Sequence, residues 1–542
     1  MIPAPDGQGI TVMTAAATAS GIAGAVPATP VAPPLDKRRF IAFIAMVFGM
    51  FMAILDIQIV SASLPQIQAG LSASADEIPW VQTSYLIAEV IMIPLSGFLS
   101  RALSTRVLFT ISAAGFTFMS LMCATATTIE QMIVYRALQG FIGGGMIPTV
   151  FAAAFTVFPP EKRPIVSPII GLVATMAPTI GPTVGGYLTD IFSWHWLFLI
   201  NIVPGIVVTI LSVTLIDFDE PDFALLRRFD WTGLITMALF LGSLEFVLEE
   251  GPIKDWFSDE YIVVFTAVAI VASGLFFWRT LTVDEPVVNL RAFTNRNFAA
   301  GSLFSFVMGI GLYGLTYLYP IYLARIRGYS PLQIGETMFV TGAAMFLSAP
   351  FIGRLSAIMD QRVLIGIGFG AFALGTWMVT GITADWDFWE LFIPQILRGV
   401  GIMACMVPVN NIALGTLPPD EVKNASGLFN LTRNLGGAVG LALINTVLNN
   451  RMDLHLQRLA EQVTWSRDVA LERLSALTGA MAARGSDADM AALKQMAQLV
   501  RREATVMAFA DVFYLLSFLF VALIFLTPFI NKPDAGVQVD AH

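Results

Sequence analysis

Apolar runs of roughly twenty residues recur along most of this chain of 542 residues. A run of that length crosses the hydrocarbon core of a bilayer as a helix. Hydrophobic residues make up 56% of the sequence and charged residues only 13%, which leaves too little polar surface for a water-soluble fold of this size. The sequence therefore predicts an all-α polytopic membrane protein, with the lipid bilayer as its surroundings.

Fourteen runs qualify as transmembrane helices, with boundaries uncertain by a few residues. They are 40–62, 79–100, 106–127, 130–156, 165–189, 195–216, 231–250, 260–281, 298–322, 332–354, 362–382, 389–415, 425–447 and 507–530. Residues 1–36 are rich in Ala, Thr, Gly and Pro and lack Lys and Arg, which predicts a disordered cytoplasmic tail rather than a signal peptide. A second cytoplasmic tail is expected at 531–542.

Lys and Arg are concentrated in alternate loops, for example at Lys37, Arg101, Lys162 and Lys423, whereas the intervening loops are mostly acidic. Positive loops stay on the cytoplasmic side of a membrane. We therefore expect a multi-pass protein of the cell inner membrane with both termini in the cytoplasm. The net charge of −9 then reflects acidic outer loops, and nothing indicates a nucleic-acid partner.

An internal repeat relates the two ends of the chain. PLSGFLSRALSTR at 94–106 aligns with PFIGRLSAIMDQR at 350–362. Repeats several spans long are typical of transporters that bind substrate between two bundles; the alternative is chance similarity between apolar helix ends. The repeat predicts a six-helix bundle at 37–217, an inserted pair of spans at 218–297 and a second six-helix bundle at 298–530.

Several motifs resemble one family. They are LDIQIVSASLP at 55–65, RALQGFIGGGMIP at 136–148, APTIGPTVGGYL at 177–188 and LFNLTRNLGGAVG at 428–440. Together they resemble the major facilitator superfamily, and within it the fourteen-span drug:proton antiporter branch of the EmrB/QacA type. The resemblance implies a major facilitator fold and proton-coupled export of hydrophobic, amphipathic or cationic small molecules by alternating access. Export of an endogenous metabolite, such as a siderophore, is the alternative.

The fifth predicted span carries small residues at four-residue steps, a spacing that lets another helix approach closely. The motif residues are Ala177, Gly181, Pro182, Gly185 and Gly186. In the family this antiporter motif is held to pack tightly and to limit proton leak. Plain helix packing without a role in transport is the other interpretation.

The loop after the second span resembles the superfamily's cytoplasmic gate motif at Gly97, Arg101 and Arg106. Ser100 stands where the family usually has Asp, and Ser104 where it usually has Gly. A gate built on that aspartate is therefore not expected here. Arg101 and Arg106 remain, and the expectation is that they lock the cytoplasmic side through helix-end and backbone contacts.

Five ionisable residues lie deep inside predicted spans: Asp56, Glu89, Arg136, Arg398 and Arg433. Each costs at least about 2.5–3.5 kcal/mol at mid-membrane, so such residues usually serve a function. Asp56 and Arg136 are interpreted either as a proton-coupling pair or as a static ion pair, and Glu89 as a proton site or a contact for a cationic substrate. Arg398 and Arg433 are assigned to the structure of the second bundle.

Three further acids, Glu245, Glu249 and Glu250, lie in the inserted span seven, outside the repeat. Glu245 is a secondary candidate, and the other two are expected to mark the outer end of the span. The loop 450–504 is predicted to form an extracytoplasmic helical hairpin broken at GSD, 485–487. In EmrB-type relatives such a loop accompanies a periplasmic membrane-fusion adaptor protein; a solvated cap is the alternative.

An embedded enzyme and a channel are the rival classes of function. The histidines are His195, His455 and His542, none of them beside a carboxylate at the centre of a span, and no Cys/His cluster has metal-ligand spacing. No metal, no cofactor and no enzyme activity are therefore expected. The repeat favours alternating access over a channel.

Overall fold

A computed structural model describes residues 37–61, 63–74, 76–159, 162–481 and 487–530. The predicted tails at 1–36 and 531–542 lie outside the described residues. The described part is built of helices in the following order. They are α1 (Lys37–Ser61), α2 (Leu64–Leu71), α3 (Trp80–Leu103), α4 (Thr105–Ala124), α5 (Ile129–Gly143), α6 (Met146–Val157), α7 (Arg163–Ile191), α8 (Trp196–Leu199), α9 (Ile202–Leu215), α10 (Trp231–Glu250), α11 (Glu260–Thr282), α12 (Arg296–Tyr322), α13 (Pro331–Ile358), α14 (Gln361–Met378), α15 (Phe388–Gly415), α16 (Pro419–Ala460), α17 (Asp468–Met481) and α18 (Ala488–Leu526).

Each of the fourteen predicted spans falls on a helix, but only thirteen segments of the described chain are long and apolar enough to cross a membrane. The predicted span 425–447 is the one that fails this standard. It lies within α16, where Asn430, Arg433 and Asn434 lower the mean hydropathy. Such a polar helix is tolerable in a membrane only when other helices surround it, and α16 packs against α3, α6, α12 and α18.

Several helix ends follow from local chemistry that is visible in the sequence. Asp230 accepts a hydrogen bond from the Gly233 amide at the start of α10, and Asn295 does the same for the first turn of α12. Ser330 begins α13 and Asp387 begins α15, each as part of a reciprocal capping box. These caps satisfy amide groups that the first turn of a helix leaves without partners.

The helices pack in two sets that correspond to the halves of the repeat. In the first set α1 packs on α7, α3 on α5, and α4 on α5 and α9; in the second α12 packs on α16, and α14 on α15 and α18. The sets meet where α7 contacts α13 and where α3 contacts α16. The second span of each set therefore faces the fifth span of the other. Helices α10 and α11 pair with each other, and α10 also packs on α3.

The region 450–504, predicted to form a helical hairpin, is continuous with two membrane helices, and residues 485 and 486 of the predicted GSD break lie outside the described residues. Its two ends are continuations of α16 and α18, which have 42 and 39 residues and so measure about 60 Å each, twice the hydrocarbon thickness. A further helix that the sequence pattern did not predict, α17, lies between them and packs on α18. His455 of α16 contacts Asp511 of α18 at 2.8 Å, which ties the two long helices together.

Candidate functional site

A completely buried ion pair joins two helices of the first set. Arg136 of α5 donates from Nη1 to Oδ2 of Asp56 in α1 at 2.6 Å, and neither side chain is exposed at all. The structure thus brings together two residues that the sequence analysis selected. Removing one member of such a pair costs roughly 3–5 kcal/mol, because the other charge is left buried without a partner.

Three neutral polar side chains surround the pair. Asn201, at the start of α9, donates to Oδ1 of Asp56 at 2.7 Å, and Gln139 donates to the same oxygen at 3.4 Å. Ser120 of α4 accepts hydrogen bonds from both amides, at 2.7 Å from Gln139 and 3.2 Å from Asn201. The aspartate is therefore held by a network that reaches four membrane helices.

Arg136 is also fixed by helix α3. Its Nε donates to the carbonyl oxygen of Val81 at 3.2 Å, and its guanidinium carbon lies 4.2 Å from the ring centroid of Tyr85. Gly140 permits this proximity, since a Cβ there would lie 2.3 Å from the Tyr85 carbonyl oxygen. On its own helix, Nη1 donates to Oε1 of Gln139 at 2.7 Å. The guanidinium therefore keeps partners on α3 and α5 even when the carboxylate of Asp56 loses its charge.

Glu89 faces a cavity between the two sets of helices. Its side chain is 3% exposed, and Oε1 has no hydrogen-bond partner among the described residues. The cavity measures about 60 Å³, enough for a few water molecules but far below the volume of a drug-binding pocket. The other lining residues are Ile57, Leu86, Val90, Glu245, Glu249, Tyr313, Asn434, Gly437, Ala438 and Leu441.

The same cavity gives two acids of helix α10 a location that the sequence pattern did not predict. The sequence gives Glu245 secondary weight, because α10 lies outside the repeat, and assigns Glu249 to the outer end of the span. Both line the same cavity as Glu89. Position in the repeat was a poor guide because α10 packs directly on α3.

The small residues of the fifth-span motif lie against α1. A Cβ on Gly181 would lie 2.4 Å from the Cβ of Gln58, and one on Gly185 would lie 2.7 Å from the carbonyl oxygen of Ile59. The remaining motif residues are buried or half-buried: Ala177, Pro182 and Gly186. The motif therefore forms a close seam with the helix that carries Asp56.

The gate-motif residues occupy different environments. Gly97 lets α3 approach α16, because a Cβ there would lie 2.8 Å from the Cα of Asn424. Arg101 is half-buried, with its guanidinium 5.9 Å from the ring centroid of Phe98, whereas Arg106 is exposed. The three motif residues thus do not converge on one contact.

A carboxylate that the sequence analysis did not select joins the two sets at this end. Asp219 accepts the backbone N–H of Thr105, with both carboxylate oxygens 3.0 Å away, and forms an ion pair with Lys423 at the start of α16. Lys423 also donates to the carbonyl oxygen of Ser100 at 3.4 Å. Asp219 therefore supplies a carboxylate beside the position where the family's aspartate is replaced by Ser100.

Arg398 and Arg433 lie apart from the Asp56 pair. Arg398 donates to the hydroxyl group of Thr316, and Arg433 donates to Asn430 and lies over the ring of Phe151 at 4.9 Å. Both are buried, and each retains at least one guanidinium nitrogen without a hydrogen-bond partner in the described part of the chain. Their assignment to a structural role stays a prediction.

Sequence reasoning missed Asn201, Ser120 and Asp219. A signal for Asn201 was present, because it is the one amide in the apolar stretch LFLINIVPG. Polar side chains in such a stretch usually face the interior of the bundle. Ser120 offered no such signal, since serine hydroxyls commonly bond to the carbonyl groups of their own helix.

Comparison with known proteins identifies relatives over nearly the full length. The model of the Major Facilitator Superfamily matches residues 46–441. The colistin resistance protein EmrB of Acinetobacter baumannii is 42% identical over 92% of this chain and 97% of its own length. The multidrug export protein EmrB of Escherichia coli K12 is 30% identical over the same shares. The crystal structure of the human organic anion transporter MFSD10 matches the fold with a TM-score of 0.56 at 12% identity, covering 89% of this chain and 99% of that one.

Proposed function

Because the chain belongs to the Major Facilitator Superfamily, we propose that it is a secondary active transporter that exports hydrophobic or amphipathic drugs in exchange for protons. Relatives named for multidrug export and colistin resistance support drug efflux over the export of an endogenous metabolite. The protein lies in the inner membrane with both termini in the cytoplasm. The basic loops, at Arg101 and Lys423 among others, support that orientation.

The observation that carries the proposal is the buried pair of Asp56 and Arg136. Burial disfavours the ionised carboxylate, whereas the neighbouring guanidinium and amide donors favour it. Opposing effects of this kind let a small rearrangement change the protonation state. Asp56 takes up a proton from the outside and its hold on Arg136 weakens, so that α1 becomes free to move relative to α3 and α5.

The driving force is of the right size. A membrane potential of about 100 mV supplies about 2.3 kcal/mol per proton, and each unit of pH difference adds about 1.4 kcal/mol. The proton gradient thus provides close to 4 kcal/mol. That is comparable with the roughly 3–5 kcal/mol needed to break a buried ion pair.

Movement of α1 is transmitted to the interface between two bundles, at 37–217 and 298–530. The seam between α1 and α7 supports this step, because α7 also contacts α13 of the second set. On the cytoplasmic side the contacts of Lys423 with Asp219 and Ser100 hold the two bundles together. Their release opens the inward-facing state, which takes up drug.

Transport into inverted membrane vesicles tests the proposal. A cationic dye is supplied outside, and a proton gradient, acidic inside, is imposed. We expect accumulation of the dye in vesicles that contain the protein and its loss when the gradient is collapsed. Accumulation that persists without a gradient, or that never exceeds the level in vesicles lacking the protein, would contradict it.

A further inference from the structure

We propose that the inserted helix α10 forms a cation-recognition wall of the substrate cavity, in which Glu245 and Glu249 receive the positively charged end of an amphipathic organic cation. The inference deepens the proposed function and rests on it. It assigns a substrate class to residues outside the two repeated bundles.

The two glutamates are placed to act together. They are four residues apart on α10 and therefore share one face of the helix, with Cβ atoms about 5–6 Å apart. Both line the cavity that Glu89 faces from α3. Three acidic side chains from two helices thus border one small space at the boundary between the sets.

Glu89 turns an acceptor without a hydrogen-bond partner towards the cavity. Its Oε1 is buried and accepts no hydrogen bond from any described residue. A buried polar atom without a partner is costly. A ligand with N–H groups or a positive charge would supply the missing interaction.

At about 60 Å³, the cavity in this arrangement has room for the charged end of such a ligand but not for its apolar body, which enters only when the cavity widens in the inward-facing state. The apolar residues of the lining suit that body. Ile57, Leu86 and Leu441 are among the lining residues, and the hydroxyl of Tyr313 donates to Asn434 at 3.4 Å. None of the residues that line the cavity is basic. The attraction between a carboxylate and a cation is stronger in a water-poor site than in bulk water. A cation is therefore favoured there over a neutral molecule of the same shape.

The spread of the carboxylates favours an organic cation over a metal ion. Within the described ranges, no three His, Cys, Asp or Glu side chains converge closely enough to hold a metal. Acids distributed around a cavity match a ligand whose positive charge is delocalised over several atoms or that carries two positive charges. Affinity should therefore rise from neutral molecules to monocations and again to dications.

Equilibrium binding to the purified full-length protein tests the inference without any proton gradient. Scintillation proximity measures the dissociation constants of dequalinium, a dication, tetraphenylphosphonium, a monocation, and chloramphenicol, which is uncharged. The variants are Glu245→Gln and Glu249→Gln. Glu260→Gln is the matched control, because Glu260 is an exposed acid on α11 of the same inserted pair.

We expect each of the two variants to raise the dissociation constant of dequalinium at least tenfold, to raise that of tetraphenylphosphonium less, and to leave that of chloramphenicol unchanged. Unchanged chloramphenicol binding also shows that the variants are folded. Equal weakening for all three compounds, no weakening for either cation, or no cation binding by the wild type would overturn the inference. Loss of transport with unchanged cation binding would instead assign the two acids to proton transfer.

Proton-driven transport and cation recognition can be tested independently of each other. A wild-type protein that binds dequalinium but shows no proton-driven transport would contradict the proposed function and leave the recognition site standing. Proton-driven drug transport by a protein whose dissociation constants for the three compounds are the same in the wild type and both variants would support the proposed function and contradict the recognition site.

Discussion

Asp56 and Gln58 lie two residues apart on α1 and link two features of the transporter. Asp56 forms the buried ion pair with Arg136 at 2.6 Å, and Gln58 lies under Gly181 of the antiporter motif. A change in charge at Asp56 therefore acts on the helix that the motif contacts. If Asp56 carries the proton, as proposed, the small residues of α7 serve coupling as well as packing.

The seam predicts a strong effect of one methyl group. Gly185→Ala places a Cβ about 2.7 Å from the carbonyl oxygen of Ile59, so α1 and α7 must separate, at a cost of about 1–3 kcal/mol. We expect a lower midpoint of thermal unfolding and proton leak in proteoliposomes, measured with a pH-sensitive dye. Gly274→Ala on α11 is the control, since nothing lies within 4 Å of the added atom; equal behaviour of the two variants would refute the packing argument.

Ser104 predicts a stabilising substitution. Its φ of 77° and ψ of 157° fall in a region that is essentially restricted to glycine and costs of order 1–3 kcal/mol for other residues. Its side chain caps the Val107 amide, and glycine loses only a few tenths of a kcal/mol at such a position. Ser104→Gly should therefore raise the thermal unfolding midpoint, whereas Ser104→Ala should lower it. A decrease with both would show that the cap outweighs the strain.

The contact of Asp219 with Lys423 predicts how the cytoplasmic end opens. Asp219→Asn removes the charge that holds Lys423 near the amide of Thr105, and should shift the population towards the inward-facing state. We therefore expect faster maleimide labelling of a cysteine introduced as Asn424→Cys. The two native cysteines are buried, so the label reports on the introduced one. Glu220→Gln, the same change at the neighbouring acid, should leave the labelling rate unchanged. Equal rates for Asp219→Asn and wild type would remove Asp219 from the gate.

Deletion within the region 450–504 should affect transport in vesicles and resistance in whole cells differently. If its helices dock a periplasmic adaptor protein, deleting 461–487 should leave vesicle transport intact and abolish resistance in whole cells. The deletion spares the contact between His455 and Asp511 that joins α16 to α18. Equal losses in vesicles and cells would argue against docking and favour a structural cap.

Much of the fold could be predicted from local features of the sequence. The apolar runs determine the helices, and the repeat determines which helices correspond. Residues Asp56 and Arg136 could be selected because a charge inside an apolar run needs a partner. The same reasoning located α16 but not its continuity beyond the membrane, because an apolar run ends at the membrane surface whereas the helix continues to Ala460 with no Gly or Pro to break it.

The remaining features depend on contacts between distant segments. Asp219 lies in a loop, where an acidic residue is ordinary, and its role depends on Thr105 and Lys423, 114 and 204 residues away. Asn201 and Ser120 become significant only when their helices meet around Asp56. Glu245 looked peripheral because no sequence pattern indicated that α10 packs on α3.

In the proposed mechanism, Asp56 carries the proton that drives export. Asp56→Asn keeps the size of the side chain and removes its charge, so substrate binding should persist while the coupling is lost. Arg136→Ala should in addition destabilise the fold by roughly 3–5 kcal/mol, since it leaves a buried acid without its partner. The asparagine variant is therefore the cleaner probe.

The decisive measurement is drug export by proteoliposomes of defined orientation at a series of external pH values, for the wild type, Asp56→Asn and the control Asp190→Asn, whose acid is exposed at the end of α7. We expect the wild type and Asp190→Asn to concentrate substrate in proportion to the proton gradient. Asp56→Asn should bind substrate and equilibrate it without concentrating it, at every pH. Uphill export by Asp56→Asn with the wild-type dependence on external pH would contradict the account and leave Asp56 a structural residue.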